Sequence, residues 1–460
     1  MLDLVFVFIL RGYFQFWPLA RGTPGSQEDD RSPCPRWPRV CENLRLSNIT
    51  QPLSKLLPGK ASMWSSSPRA ACDRLGTPRP AGKAARALAD RRRTAAGWKD
   101  DGAHQVGKVW KGPVRYAAAD LPLPPGPEWI QSQWELSRRD AARGRKALLI
   151  LDEVQKVAGW SEVVKANWDA DRASGAPVSV ILLGSSALLL ARGANESLAG
   201  RFFLHRCLHW SFPECRRAFG WDLDHWLYFG GYPGAAPLAE DDVAFRIYVR
   251  DSLIEPAIAR DVLAMQTVTK PALLRQLFAL CGLYSGQILS YTKMLGQLQD
   301  AGNTTTLAHY LRLLETAFLA SGLNRFKPGR AARRGSSPKL VVWNNALVSA
   351  LGRAGFAAAR EDHALWGRLV ENAVGAHLLN HLHGTPHEVS YWRERSDEVD
   401  FVVRAGEAVW AVEVKSGRPV RPAGLAAFLR SHPHAHPLIV GTGGMSLQEF
   451  FSTEPSALFA

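Results

Sequence analysis

The stretch Lys146–Glu153, which reads KALLILDE, constrains the fold of this chain more than any other feature. Its five apolar residues, Ala147 to Leu151, end in two adjacent carboxylates, Asp152 and Glu153. A short, continuous apolar run is typical of a strand that is buried on both faces of a parallel sheet. Open α/β sheets bind ligands at the carboxyl ends of such strands. The pattern therefore predicts a ligand site at the two carboxylates.

The order of residues in this stretch is that of a Walker B motif. In such a motif the first carboxylate positions Mg²⁺ and the second polarises the attacking water, which are the roles predicted for Asp152 and Glu153. A second apolar run, residues 178–183, ends in Gly184-Ser185-Ser186. It predicts a neighbouring strand, with Ser186 as a sensor of the terminal phosphate. The alternative is two core strands that merely end in polar residues.

Composition indicates a globular protein with an uneven charge. The chain has 460 residues, of which 46% are apolar and 21% are charged, and its formal net charge is +14. Residues 1–100 hold 17 Lys/Arg against 8 Asp/Glu, so they carry +9 of that total. A basic balance suits nucleic-acid binding or simply solubility. The six cysteines form no CxxC pair, which predicts reduced thiols and a cytoplasmic protein.

The apolar residues 2–10 raise the question of a signal peptide or a membrane anchor. Asp3 lies where a signal peptide has basic residues, and Arg11 ends the apolar run. The run is also too short to cross a bilayer as a helix. We therefore expect no membrane partner.

The sequence pattern divides the whole chain into four regions. Residues 1–104 are rich in Pro, Arg, Ser and Gly without periodicity, which predicts a disordered segment. Residues 105–222 alternate strand-like and helix-like stretches, which predicts an α/β fold with a parallel sheet. Residues 223–355 read as helical, and residues 356–460 return to α/β.

Two helices in the helical region suggest a winged-helix-like unit. One is predicted from a cap at Ser290 to Asp300, and the next from Thr304 to Gly322. DNA reading needs phosphate contacts and base-reaching side chains. The second helix carries few basic residues, chiefly His309 and Arg312, so a structural role is predicted for the pair.

A second group of carboxylates lies in the last hundred residues. Asp400 opens one predicted strand and Glu413-Val414-Lys415 closes the next, with Glu413 and Lys415 on the same side. This D…ExK spacing is the signature of the restriction-endonuclease-like, PD-(D/E)XK fold, with Glu371 on the preceding helix as its fourth member. The three carboxylates would hold Mg²⁺ and the lysine would orient the attacking water. The alternative is a hairpin with a structural salt bridge, because gathered carboxylates repel.

Together these motifs resemble prokaryotic AAA-family ATP-binding proteins that carry a C-terminal domain of unknown function. The resemblance covers the chain from about Val106 onward. It implies an AAA+ core, a winged-helix-like middle and a nuclease-like end, with ATP and Mg²⁺ as cofactors. It also implies that Arg201 approaches phosphate, as a finger across a subunit boundary of a homo-oligomer. The motifs that carry it are Tyr116-Ala-Ala-Ala-Asp120, Leu149-Ile-Leu-Asp-Glu-Val-Gln-Lys156, Leu183-Gly-Ser-Ser-Ala-Leu-Leu-Leu190, Ser197-Leu-Ala-Gly-Arg-Phe202, His209-Trp-Ser-Phe212, Gly230-Gly-Tyr-Pro233 and the C-terminal set.

The chain departs from that family at the P-loop, whose backbone amides and lysine hold the phosphates. The candidate is Gly102-Ala-His-Gln-Val-Gly-Lys108, with Lys108 as the phosphate-binding residue, but Val109 stands where Ser or Thr would bind Mg²⁺. Gly112-Pro113 also stops any helix about one turn after the lysine. Residues 105–112 are therefore predicted to be the tail of the family's first helix. Residues 1–104 are hypothesised to be a wrong-frame or mis-started translation.

Two classes of function remain open. The first is an AAA+-type ATPase, coupled to the nuclease-like domain and defective in nucleotide binding in this chain. The second is a nucleotide-independent, metal-dependent module that binds or cleaves DNA. A true P-loop would favour the first class, whereas its absence beside an intact metal cluster favours the second.

Overall fold

A computed structural model of the full chain forms two compact units. Residues 5–10 and 99–207 belong to the first unit, and residues 209–459 belong to the second unit. Each unit has its own sheet and its own candidate site. The structure describes residues 5–10, 98–141, 145–184, 198–199, 201–207, 209–262, 268–300, 302–327, 337–417 and 423–459.

The first unit is a five-stranded sheet with helices. Strand order is β2-β3-β4-β1-β5; β2, β3 and β4 run parallel, as predicted. Both β3 and β4 are buried along their whole length, because their continuous apolar runs leave neither face suited to water. The elements are β1 (Val5–Leu10), α1 (Trp98–Val109), β2 (Val114–Ala118), α2 (Pro127–Ala141), β3 (Ala147–Asp152), a 3₁₀ turn (Val154–Lys156), α3 (Trp160–Ser174), β4 (Val178–Gly184) and β5 (Phe202–Cys207).

Strand β1 departs from the expectation that residues 1–104 contribute nothing to the sheet. It pairs with β4 and β5 and runs antiparallel to both. Phe6 pairs with Gly184, at the carboxyl end of β4, and Leu10 pairs with Val180. Strand β1 therefore ends at the edge of the sheet that carries the amino ends of the parallel strands. Ligands bind at the opposite edge, where the carboxyl ends of those strands lie. A P-loop would have to follow a strand that runs the other way.

Helix α1 crosses the predicted boundary at residue 104 and lies against the sheet. Its residues Ala103 and Val106 are buried. A Cβ added at Gly107 would lie 3.3 Å from Cγ1 of Val114, so the helix packs closely on β2. The helix ends at Val109, before Gly112-Pro113. Residues 105–109 are thus helical, as the sequence predicts.

The second unit combines helices with a four-stranded mixed sheet in the order β11-β10-β9-β8. Strands β8 to β10 are antiparallel, and β11 is parallel to β10. Strands β6 and β7 form a separate antiparallel pair. The elements are α4 (Phe212–Phe219), α5 (Leu223–Phe229), a 3₁₀ turn (Ala236–Leu238), α6 (Asp242–Tyr248), π-helical turns (Val249–Ile254 and Ala257–Val262), α7 (Pro271–Leu283), α8 (Tyr291–Leu295), α9 (Thr304–Thr316), β6 (Ala320–Leu323), β7 (Lys339–Val342), α10 (Asn345–Leu351), α11 (Phe356–Glu361), α12 (His363–Leu382), β8 (His387–Glu394), β9 (Asp397–Ala405), β10 (Ala408–Lys415), α13 (Ala423–Ser431), β11 (His436–Gly441), α14 (Leu447–Ser452) and α15 (Pro455–Leu458).

The larger of two hydrophobic clusters described in this unit extends from the helical region into the C-terminal sheet. Leu277 of α7 and Leu314 of α9 belong to the same buried cluster as Val374 of α12 and Phe401 of β9. The structure therefore joins the two regions that the sequence separates at residue 355. Apolar side chains of the helical region cover one face of α12 and also pack against one another.

Two predicted helices are shorter than expected. The Ser290 hydroxyl accepts a hydrogen bond from the Lys293 amide at 3.2 Å and caps α8 as predicted, but the helix ends at Leu295. Helix α9 ends at Thr316 rather than at Gly322. The chain turns at Phe318, whose φ of 54° is incompatible with a right-handed helix, and then enters β6. The winged-helix resemblance stays a prediction.

Two further observations bear on the expected class of protein. Across the described ranges, no helix is both long and apolar enough to cross a bilayer. Cys215 and Cys281 are free, buried thiols, and burial raises the pKa of Cys281 to about 12. Such a thiol is inert packing rather than a nucleophile.

Candidate functional site

The first candidate site lies at the carboxyl end of β3. Asp152 is the last residue of this strand and is 5% exposed. Its Oδ2 accepts a hydrogen bond from the Tyr116 hydroxyl at 2.7 Å, and its Oδ1 accepts one from the Glu153 amide at 2.8 Å. Tyr116 lies on the neighbouring parallel strand β2. The two bonds hold the carboxylate at the edge where such sheets bind ligands.

Glu153 follows in an unusual backbone conformation. Its φ of 52° and ψ of 34° are left-handed, which costs roughly 1–2 kcal/mol for a residue with a side chain. The turn directs the chain from β3 into the short 3₁₀ segment. Gln155 Nε2 donates to Glu153 Oε2 at 2.8 Å, and Lys156 Nζ lies 4.0 Å from the same oxygen. Strained residues cluster at functional sites, so this turn supports a role for the second carboxylate.

Two of the sequence motifs meet at this edge. The Ala119 amide, just after β2, donates to the Asp152 carbonyl oxygen at 2.9 Å. Lys156 Nζ lies 2.5 Å from Asp120 Oδ1, so the two motif ends are also joined by an ion pair. Among the described residues, the carboxylates of Asp120, Asp152 and Glu153 thus lie near the ammonium of Lys156 at this edge.

Lys108 does not lie in a phosphate-binding loop. It is an exposed residue in the last turn of α1. Residues 102–108 are helical, so their amides point along the helix axis toward preceding carbonyl oxygens. A P-loop needs such amides to point at the anion. His104 of the same helix instead stacks on Tyr116, with ring centroids 4.7 Å apart.

Two further residues were predicted for the first site, Arg201 and Ser186, and the structure describes Arg201. Arg201 pairs with Asp169 of α3, with Nε 3.1 Å and Nη2 3.4 Å from the two carboxylate oxygens. Its guanidinium also lies 5.5 Å above the ring of Trp168. An arginine held in this way must leave its partner before it can reach a phosphate. Ser186 lies outside the described residues.

The second candidate site contains the C-terminal carboxylates and one residue that sequence reasoning missed. Lys339, the first residue of β7, has a completely buried side chain. Its Nζ lies 2.6 Å from Glu371 Oε1, 3.2 Å from Glu398 Oε1 and 3.3 Å from Asp400 Oδ1. The sequence signal was a lysine directly before the apolar run 340–343, because a lysine drawn into the core needs a buried partner.

Glu413 and Lys415 pair beside this group, on one side of β10 as predicted. Lys415 Nζ lies 2.6 Å from Glu413 Oε1. Asp400 Oδ2 accepts a hydrogen bond from the Val414 amide at 2.8 Å, so the β9–β10 hairpin brings Asp400 alongside. The other oxygen of Glu413, Oε2, is buried without a hydrogen-bond partner in the described part of the chain.

Burial and mutual repulsion shift the pKa values of this group. Burial raises the pKa of Glu371 to about 7, although the Lys339 ammonium opposes the shift. Burial, with Asp400 adding its charge, raises the pKa of Glu413 as well. Burial alone would lower the pKa of Lys339, but Glu371 and Asp400 hold it above its ordinary value. The lysine is therefore charged at neutral pH.

The arrangement does not fit a metal ion. Within the ranges that the structure describes, no group of three or more His, Cys, Asp or Glu residues is placed to hold one. The physical reason is Lys339: its ammonium lies at hydrogen-bond distance from Glu371 and Asp400, two of the three predicted ligands. The third, Glu413, pairs with Lys415 instead.

Comparison with family models adds three matches. Residues 127–216 match an AAA domain, residues 220–358 match a domain of unknown function (DUF8612), and residues 366–452 match another (DUF4143). The chain therefore contains an AAA-family, ATPase-like region that includes Asp152 and Glu153. The AAA match begins after Lys108.

Relatives at the level of sequence are themselves uncharacterized. A protein of Mycobacterium tuberculosis is 27% identical over 278 residues, which is 60% of this chain and 60% of that protein, and a Mycobacterium bovis protein gives the same figures. The chain thus spans about 60% of the length of these relatives. A Haemophilus influenzae protein is 24% identical over 307 residues, 62% of this chain and 71% of that protein. The crystal structure of a Vibrio cholerae protein matches 75% of this chain and 92% of its own at 12% identity and a TM-score of 0.14, too low to carry an argument.

Proposed function

We propose that the first unit is the nucleotide module of an AAA-type ATP-binding protein and acts on ATP with Mg²⁺. The observation that carries this proposal is the Asp152–Glu153 pair at the carboxyl end of the central parallel strand β3. The match of residues 127–216 to an AAA domain supports it independently.

The chemistry of the pair suits the two steps of ATP hydrolysis. Mg²⁺ is commonly bound by one or two carboxylates together with substrate phosphates, and Asp152 supplies a carboxylate of fixed orientation. A carboxylate oxygen has two lone pairs, so the bonds from Tyr116 and the Glu153 amide are compatible with a metal contact. Glu153, one residue further on, would activate the attacking water.

We further propose that this chain binds ATP only weakly. Residues 102–108 are part of α1, and β1 runs antiparallel to β4. Among the residues that the structure describes, neither element therefore supplies the backbone amides and lysine that usually hold the phosphates at the carboxyl edge of the sheet. On this proposal the carboxylates act on the nucleotide chiefly through the metal.

Calorimetry with ATP and Mg²⁺ tests both parts. We expect weak, Mg²⁺-dependent binding in the millimolar range that is lost in Asp152→Asn and unchanged in Lys108→Ala. Glu153→Gln should keep binding but lose any hydrolysis, because only the base is removed. Micromolar binding that Lys108→Ala abolishes would show a working P-loop and refute the weak-binding proposal. Binding that is indifferent to Asp152→Asn would remove the proposed role of that carboxylate.

Arg201 and the second unit complete the proposal. In a homo-oligomer Arg201 would leave Asp169 and approach a phosphate held by the next subunit.

The other candidate function, a metal-dependent module that binds or cleaves DNA, requires a divalent cation among Glu371, Asp400 and Glu413. The position of Lys339 speaks against that cation, so we prefer the ATPase-like function.

A further inference from the structure

The side chain of Lys339 is surrounded as a bound cation would be. Lysine is almost never fully buried unless it is paired, and this one is buried completely. An ammonium has three hydrogens to donate, and three carboxylates lie within 3.3 Å of its nitrogen. The ring of Phe401 lies 5.0 Å away on another side, where an aromatic face attracts a cation.

The carboxylates around it come from different parts of the second unit. Glu371 projects from α12, whereas Glu398 and Asp400 lie on β9. Lys339 itself opens β7, which pairs with β6 rather than with the main sheet. A single ammonium thus joins three elements that have no shared strand pairing.

We propose that the ammonium of Lys339 is the built-in counter-cation of this acidic cluster and stands where a divalent metal would otherwise bind. The cluster then assembles without metal. Its role is to fasten β7 and its neighbouring helices to α12 and the main sheet.

The charges of the cluster support this assignment. An Mg²⁺ ion that used the oxygens of Glu371 and Asp400 would lie beside the buried ammonium, and the two cations would repel each other in a poorly screened interior. The remaining negative charge of the cluster is screened or paired elsewhere. Glu398 is 34% exposed, so solvent and salt screen its charge, and Glu413 pairs with Lys415.

Thermal unfolding of the full chain, without nucleotide, tests the proposal. Chelator-treated wild-type protein is melted alone and with millimolar Mg²⁺ or Mn²⁺, and we expect the same melting temperature. Lys339→Met should lower the melting temperature by roughly 6–20 °C, because three carboxylates lose their cation. Divalent cations should restore part of that loss, because the vacated position now suits them.

Lys415→Met is the matched control. Its side chain is 28% exposed, and its ammonium forms an ion pair with Glu413 alone among the cluster's carboxylates. We expect a much smaller fall in melting temperature and no response to metal. Comparing the two variants distinguishes the effect of removing Lys339 from the effect of removing any lysine near the cluster.

Several outcomes would overturn the proposal. A saturable rise in the wild-type melting temperature with metal, removed by Asp400→Asn, would show that the cluster binds metal despite the lysine. Wild-type stability in Lys339→Met would show that no counter-cation was needed. A loss that metal cannot restore would refute the claim that the ammonium stands in a metal's position. If Lys339→Met does not fold, the wild-type titration with Asp400→Asn decides alone.

Discussion

The two carboxylate sites of this protein look alike in sequence and differ in how their charge is neutralised. In the first unit, the partners of Asp152 include two neutral donors, the Tyr116 hydroxyl and a backbone amide. In the second unit, Glu371 and Asp400 face the fully buried ammonium of Lys339. Neutral donors orient a carboxylate but leave its charge in place. An ammonium removes most of the need for an external cation.

A pattern of carboxylates beside apolar strand-forming runs therefore does not by itself define a metal site. Both patterns resemble Mg²⁺-binding motifs, although Asp400 lies inside β9 and does not open it as predicted. What separates the two sites is a residue that lies outside the second motif, Lys339. Four predictions test this contrast.

The largest expected effect is on the second unit. Lys339→Met should lower the free energy of unfolding by about 3–5 kcal/mol, because removing one partner leaves buried charge uncompensated. Denaturant titration of the full chain measures the loss, and hydrogen exchange in β7 and β9 assigns it to this unit. A loss no larger than that of Lys415→Met would erase the contrast between the two sites.

A smaller effect concerns pH. The pKa of Glu371 is raised from 4.5 to about 7 in the folded protein, so between these values the folded state holds a proton that the unfolded state has released. The stability from this carboxyl is complete below pH 4.5 and is lost as pH rises to about 7. With a side chain 24% exposed, we expect a loss of about 1–2 kcal/mol across this window.

Glu371→Gln should remove that dependence, since the amide does not titrate. Denaturant titrations at several pH values between 4.5 and 7 give the slope for both proteins. An unchanged slope would mean that another group of the cluster takes up the proton.

The third prediction concerns the neutral donor of the first unit. Tyr116→Phe removes the hydrogen bond to Asp152 and should lower stability by about 0.5–1.5 kcal/mol. Hydrogen exchange should show the loss in β2 and β3 and not in the second unit. The matched control is Tyr228→Phe, which removes a 2.8 Å bond to the Ala354 carbonyl and should affect the second unit alone. A loss above about 3 kcal/mol at Tyr116 would indicate charge compensation like that of the other site.

The smallest effect is expected for the exposed ion pair at the first site. Lys156 and Asp120 are 38% and 64% exposed, so Lys156→Met should cost about 0.2–1 kcal/mol. The loss should disappear at high salt, because exposed charges are screened. Paired titrations at low and high salt measure it. A loss that salt leaves unchanged would show that Lys156 acts mainly on the buried Glu153.

Much of the first unit could be predicted from local pattern. The runs that became β3 and β4 are continuous and apolar, and Asp152 lies at the carboxyl end of β3 in a parallel sheet, as expected. Gly112-Pro113 predicted only that a helix would stop nearby. The first half of α1, from Trp98, lies in the segment that was predicted to be disordered. The antiparallel strand β1 could not be predicted, because its pairing partner β4 lies about 170 residues away in the chain and no local pattern specifies such a contact.

Local sequence was enough to predict that Asp152 would end a buried strand and that Glu413 and Lys415 would lie on one side of a strand, because burial of an apolar run and the alternation of side chains along a strand are local properties. The charge balance of each site could not be predicted in this way. Lys339 meets Glu398 and Asp400 across 59 and 61 positions of chain, and a buried ion pair depends on distance in space, which one shared hydrophobic core sets.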